Sequence, residues 1–352
     1  MSAANPVANG AVGGAGKAHL RERDDIVLRA EDVVVEFPLS KRATVHAVSG
    51  VSLDIAKGET LGVVGESGCG KSTLGRTLIN LPGPTEGSVV FQGEELNKLS
   101  KERLRHYRKA LQMIFQDPIS SLNPRRKVRD IVREPLSIWG MSDEAEGRVD
   151  STLEAVGLDP ETMGDRRPHQ FSGGQCQRIS IARSLVLDPK VIVCDEPVSA
   201  LDVSVQASIL NLLEDMKERY GLTLVFIAHD LGVVKNISDR VAVMYLGKLC
   251  EIGGSDELYL EPAHPYTRAL IRAIPALDPD AQQASDALEG DLPSPVNPPS
   301  GCRFRTRCPL ADQRCADEEP AMRPVGEGHY VACHYPLRPV IELETAQAGE
   351  AS

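Results

Sequence analysis

Gly65-Glu66-Ser67-Gly68-Cys69-Gly70-Lys71-Ser72-Thr73 follows the pattern G-x-x-x-x-G-K-[ST], the phosphate-binding loop of nucleotide hydrolases. Thr60 to Val64, just before it, reads as a short buried strand, and Leu74 to Ile79, just after it, reads as the first turns of a helix. Strand, glycine-rich loop and helix is the context the motif requires. Backbone N–H groups freed by the glycines can wrap phosphate oxygens, and the helix start adds a favourable dipole. Lys71 would reach the β- and γ-phosphates, and the Ser72 hydroxyl would ligate Mg²⁺. The loop says nothing of what the hydrolysis drives.

The chain has 352 residues, enough for two domains. Its composition, 41% hydrophobic and 25% charged, is that of an ordinary globular protein. No run approaches the ~18–20 apolar residues needed to span a bilayer, and Met1-Ser2-Ala3-Ala4-Asn5 lacks the basic and apolar regions of a secretory signal. The expectation is a cytoplasmic location, with any membrane role exercised through partners. A net charge of −11 argues against general nucleic-acid binding. The basic stretches Lys101 to Lys109 and Arg125-Arg126-Lys127 read as solvated faces.

Residues 1–24 read as a disordered N-terminal segment, with order beginning near Ile26. Val33 to Phe37, Val51 to Ile55, Ser88 to Phe91 and Gln112 to Phe115 have strand character. Residues about 117–180 carry helical periods, including Val128 to Ile138 and Glu144 to Val156, broken by Pro135 and Gly157. Val191 to Cys194, Leu222 to Ile227 and Val241 to Tyr245 are apolar runs suited to buried parallel strands, and a helix over Gln206 to Tyr220 separates the first two. The fold class is therefore α/β with a parallel sheet. From Leu277 to Pro299 the composition is that of a linker, and the end, 341–352, reads as a disordered tail.

The discriminating residues lie downstream of the loop. Asp195-Glu196 ends an apolar strand, so Asp195 is assigned to Mg²⁺ and Glu196 to general-base duty on the attacking water. Phe171-Ser172-Gly173-Gly174-Gln175 offers a second helix start suited to a phosphate. Two such starts need two phosphates, or one phosphate shared between chains.

Ser172 to Gln175 followed by Gln177-Arg178 resembles the signature motif of ATP-binding cassette (ABC) ATPases. The resemblance implies a RecA-like core with an antiparallel β subdomain and a helical subdomain, spanning about 25–265. It also assigns further residues. Gln116 matches the glutamine that senses Mg²⁺ and the transport subunit. Ser199-Ala200-Leu201-Asp202 matches the D-loop, and His229 matches the switch histidine at the γ-phosphate. Phe37 stands where the family places an aromatic on adenine. Cys176 departs from the family's basic or amide residue. In this family two ATPase domains pair head to tail, so a second ATPase subunit is implied.

Ser120 to Arg125, Val132 to Leu136, Met244 to Gly247 and His264 to Thr267 narrow the resemblance to ATPase subunits of dipeptide/oligopeptide importers and their nickel-importing relatives, F-type. It implies a heterodimeric ATPase pair, two transmembrane permease subunits and, indirectly, a substrate-binding protein. The chain would then sit peripherally on the cytoplasmic face of the membrane. Residues 266–340 resemble that branch's C-terminal extension, which here carries C-x5-C-x6-C-x17-C at Cys302, Cys308, Cys315 and Cys333. Four thiolates could hold a [4Fe–4S] cluster or a structural zinc, and the resemblance favours the cluster. Cys69, Cys176, Cys194 and Cys250 read as packing residues, and Trp139 as packing in the helical insert. The rival readings are a nickel or small-solute importer and a non-transport cassette ATPase. The single cassette and the lack of sustained heptads argue against the latter.

Overall fold

The computed structural model describes residues 17–41, 43–141, 145–274 and 290–341. The strands are β1 (Ile26–Ser40), β2 (Ala43–Ala56), β3 (Thr60–Val64), β4 (Glu86–Phe91), β5 (Glu94–Glu95), β6 (Leu111–Ile114), β7 (Val191–Asp195), β8 (Thr223–Ile227), β9 (Arg240–Tyr245), β10 (Lys248–Gly254), β11 (Met322–Gly326) and β12 (His329–Ala332). They form a sheet of order β2-β1-β4-β5 and a larger one of order β11-β12-β10-β9-β3-β8-β7-β6. The first is antiparallel throughout. In the second, β6, β7, β8, β3 and β9 run parallel.

The apolar runs explain the centre of this sheet. Every residue of β3, β7 and β8 is buried, as expected of parallel strands covered on both faces. Because these strands are parallel, the loops leaving β3, β6, β7 and β8 emerge along one edge. The phosphate loop, Gln116, Asp195-Glu196 and His229 follow those four strands in turn. Topology thus gathers residues from four distant stretches.

Between β6 and β7 the chain is helical, with its longer helices at Val128–Ile138, Ala145–Ala155 and Gly173–Leu185. The helix predicted from Gln206 begins earlier, at Val203, because Asp202 caps it by accepting from Val205 N at 3.0 Å. Pro135 does not break its helix as expected; it lies inside Val128–Ile138. Val128, Ile131, Val132 and Leu136 of that helix are buried, so packing outweighs the lost hydrogen bond. Trp139 packs against the same core.

Order also begins earlier than Ile26. His19 and Leu20 are each 3% exposed, and Arg21 Nε donates to Asp54 Oδ1 at 2.7 Å. Arg240 Nη1 lies 3.2 Å from the same oxygen, and Arg21 Nη2 reaches Glu59 Oε2 at 2.6 Å. A fully buried carboxylate needs such partners, and Arg21 is one. The disorder expected for 17–24 is therefore corrected, whereas 1–16 and the tail from 342 lie outside the described residues.

The C-terminal segment is not an appendage. β12 pairs with β10 through Glu251↔Val331 and Ile252↔Tyr330, so the hairpin β11–β12 extends the main sheet. Buried Glu251 accepts from Ala263 N and His264 N and sits 2.6 Å from His329 Nε2. His264 caps the helix Pro265–Arg272 by accepting at Nδ1 from Tyr266 N. Burial pushes its pKa down to about 4 despite the attraction of Glu251.

Candidate active site

A cavity of about 560 Å³ is lined by Phe37, Ser67, Gly68, Gly70, Lys71, Ser72, Thr73, Gln116, Glu196 and His229, together with Val45, Ala47 and Pro295. Lys71 opens the helix Lys71–Leu78. Gly70, with φ +103°, precedes it, and a Cβ there would fall 2.1 Å from Ala47 O. Only glycine fits that turn. Lys71 Nζ donates to Gly65 O at 2.7 Å and Glu66 O at 3.0 Å, so the ammonium is held over the loop's own backbone.

Ser72 Oγ donates to Asp195 Oδ1 at 2.6 Å, and Arg76 Nη2 lies 3.4 Å from Asp195 Oδ2. Asp195 is fully buried. A hydroxyl beside a buried carboxylate is an all-oxygen donor pair that suits Mg²⁺. Glu196 takes the left-handed conformation, φ +46°, which is costly for a non-glycine residue and usual at functional sites. Gln116 Nε2 donates to Glu196 Oε2 at 2.9 Å, and His229 Nδ1 lies 3.4 Å from that oxygen. Five of the predicted residues thus form two groups, Ser72 with Asp195, and Gln116 and His229 with Glu196.

Phe37, on β1, lines the same cavity and is 41% exposed. Gly65, Glu66 and Cys69 belong to the loop but do not line the cavity; burial raises the Cys69 thiol pKa.

Ser172, Gly173, Gly174, Gln175 and Asp202 do not line it either. Ser172 Oγ accepts from Gln175 N, and Gln175 Oε1 accepts from Ser172 N. This reciprocal cap starts the helix Gly173–Leu185, and Ser172 is exposed. A Cβ on Gly174 would fall 2.5 Å from Val205 Cγ1, so the glycine lets this helix start pack against the helix Val203–Tyr220.

Beside the site, a groove of about 670 Å³ is lined by Gln116, Phe115, Leu81, Asp117, Ser120, Pro135 and neighbours. Phe115 and Leu81 are partly exposed there, and Ile119 on the adjoining helix is 62% exposed.

The four late cysteines share a neighbourhood. Burial pushes the Cys333 thiol up to about 12, and Cys302, Cys308 and Cys315 add to that rise. Yet among the described residues no group of three or more His, Cys, Asp or Glu side chains is arranged to hold a metal ion. As placed, the four thiols do not form the ligand set expected for a [4Fe–4S] cluster or zinc. Cys69, Cys176, Cys194 and Cys250 are buried. Among the described residues, no helix is long and apolar enough to cross a membrane.

Several residues here carry no sequence signal. Val45, Ala47 and Pro295 line the cavity, and Arg307 pairs with Glu66 across 241 positions. Pro295 in its proline-rich stretch and Arg307 between Cys302 and Cys308 belong to no nucleotide motif, and only the fold brings them to the loop.

Residues 48–199 match the family described as ABC transporter, and residues 250–315 match the oligopeptide/dipeptide transporter C-terminal region. The chain is 53% identical over 313 residues to a putative oligopeptide transport ATP-binding protein, YkfD, of Bacillus subtilis, covering 88% of this chain and 95% of the relative. It is 52% identical to the oligopeptide transport ATP-binding protein OppF of Haemophilus influenzae over 84% of this chain and 90% of that one. Among solved structures it resembles cbiO1 of Clostridium perfringens, part of the ABC transporter complex cbiONQ. That likeness has a TM-score of 0.60 and 30% identity over 67% of this chain and 92% of that one. It also resembles the ATP-binding cassette MJ0796, a dimer in a post-hydrolysis state bound to ADP and Pi, with a TM-score of 0.59 and 28% identity over 65% of this chain and 98% of that one. With its phosphate loop, its carboxylate pair and its matched C-terminal region in one fold, the chain belongs to the ABC transporter ATPases, in the branch of the oligopeptide transport ATP-binding proteins.

Proposed function

We propose that the chain powers an importer of di- or oligopeptides, paired with a second ATPase beneath two permease subunits at the cytoplasmic face of the membrane. A substrate-binding protein would deliver the cargo. The observation that carries the reading of the site is the meeting of Lys71, Ser72, Asp195, Glu196, Gln116 and His229 at one sheet edge.

In this reading the loop 65–73 holds the ATP phosphates through backbone N–H groups and Lys71. Ser72, Asp195 and Gln116 would hold Mg²⁺, which neutralises phosphate charge when bound. Phe37 stacks on adenine. Glu196 accepts the proton of the attacking water. His229, close to the same carboxylate, faces the γ-phosphate. Placement of Ser172 to Gln175 outside the cavity supports a composite site, in which this helix start and Asp202 serve the nucleotide of the partner ATPase. ATP would close the pair and hydrolysis would reopen it.

The groove beside Gln116 supports docking of a permease segment, since its apolar rim adjoins the residue that touches the general base. The peptide cargo rests on the likeness to oligopeptide transport proteins and on the matched C-terminal region. No step runs through a cluster at Cys302, Cys308, Cys315 and Cys333, whose arrangement does not fit one.

The test is reconstitution of the chain with its second ATPase and two permeases in vesicles. Peptide-loaded binding protein should stimulate ATP hydrolysis and peptide uptake. Stimulation by nickel or another solute, with peptides inert, would overturn the cargo assignment.

A further inference from the structure

The nucleotide cavity has a wall that belongs to neither the phosphate loop nor the antiparallel sheet. Pro295 lines it together with Phe37 and Val45, and Pro295 O accepts from His46 N on β2 at 2.9 Å. The segment therefore borders the end of the cavity where Phe37 stands. Three residues upstream, Leu292 covers the loop itself: a Cβ built on Gly68 would meet Leu292 Cδ2 at 3.9 Å.

Two further contacts hold the loop from the same side. Arg307 grips Glu66 with a fork, Nη1 to Oε2 at 2.7 Å and Nη2 to Oε1 at 3.1 Å. The Arg307 side chain is 5% exposed. The fully buried Tyr266 accepts from Glu66 N at 2.9 Å. Tyr266 and Tyr245 pack with Phe304, at ring separations of 4.8 to 5.3 Å. Glu66 is thus bound at both its backbone and its carboxylate by residues that follow the ATPase core. A bidentate, mostly desolvated pair of this kind fixes geometry as well as contributing energy.

We propose that the C-terminal extension is a working part of the nucleotide site: Pro295 forms a wall of its base-binding end, and Arg307, through Glu66, sets the conformation of the phosphate loop. Arg307 is a positioning residue, and Pro295 a base-contacting one. The proposal rests on the reading of Phe37 and the loop 65–73 as the ATP site.

The two ends of the site are separable by ligand. The full chain is titrated with ATP and with tripolyphosphate, which lacks the base. Arg307→Gln should weaken both ligands by the same factor, about five- to tenfold. In a Glu66→Gln background it should add little further loss, because the fork is already broken. Pro295→Gly keeps the carbonyl that holds His46. It should weaken ATP about threefold and leave tripolyphosphate unchanged. Arg307→Lys keeps the charge without the fork and should fall between wild type and Arg307→Gln, so the idea stays testable if Arg307→Gln does not fold. Wild-type affinities for both ligands in folded Arg307 variants, with Pro295→Gly also neutral, would overturn the proposal and leave these contacts as mere attachment. A Lys71→Ala chain that binds both ligands as wild type does would instead overturn the site assignment on which it rests.

Discussion

Replacing Glu196 by Gln removes one proton acceptor and almost nothing else. Gln has the same shape, and its carbonyl oxygen can still accept from Gln116 Nε2, now 2.9 Å from Glu196 Oε2. The left-handed backbone at φ +46° costs either residue a similar strain. Lys71, Ser72 and Asp195 are untouched, so ATP affinity should stay within about threefold of wild type. The lost contribution is general-base catalysis, worth about 10²–10⁴ in rate, or about 3–5 kcal/mol at 1.36 kcal/mol per decade. His229 lies 3.4 Å from the same carboxylate oxygen. In the proposed reading it does not replace the lost base, because its assigned place is at the γ-phosphate. The assay is phosphate release at saturating ATP in the assembled transporter, with the partner ATPase made hydrolysis-deficient so that this site alone reports. Turnover within about threefold of wild type, with ATP binding intact, would refute Glu196 as the base.

Two further outcomes follow from the fold. Ile119→Asp places a charge on a 62% exposed side chain beside the groove. Folding stability should shift by no more than about 0.5 kcal/mol, while co-purification with the permease subunits is lost; unchanged co-purification would exclude this face as the dock. His264 has its folded-state pKa depressed from 6.5 to about 4, so its contribution is complete above about pH 6.5 and is lost as pH falls towards 4. Between pH 7 and pH 5 that loss is about 2 kcal/mol of unfolding free energy. His264→Asn, which retains a capping side chain, should flatten that part of the stability profile in denaturant melts at the two pH values.

Much of the site was legible because its chemistry is carried by local patterns. Gly65 to Thr73 declares a phosphate loop through its glycine spacing and the Lys71-Ser72 that follows, and an apolar run ending in Asp195-Glu196 declares a buried strand with carboxylates at its end. These are short-range signals, set by backbone freedom and by burial, and the structure places them where such signals imply. Pro135 and Lys17 to Asp24 depart from the sequence expectation for the converse reason. A proline's lost hydrogen bond is outweighed by the packing of Val128, Ile131, Val132 and Leu136, and Arg21 is ordered by the buried charge of Asp54, 33 residues away.

By itself, then, the sequence determined the cassette: a parallel α/β core, the nucleotide loop, the carboxylate pair, and a signature helix start that needs a partner. Tertiary structure alone decided which distant side chains share an edge with that loop. The parallel order of β6, β7, β8 and β3 brings Gln116, Glu196 and His229 together. Contacts of Pro295 with His46 and of Arg307 with Glu66 bring the C-terminal segment to the same cavity and its loop. The physical reason is that strand pairing and burial act through space, whereas a motif records only neighbours along the chain.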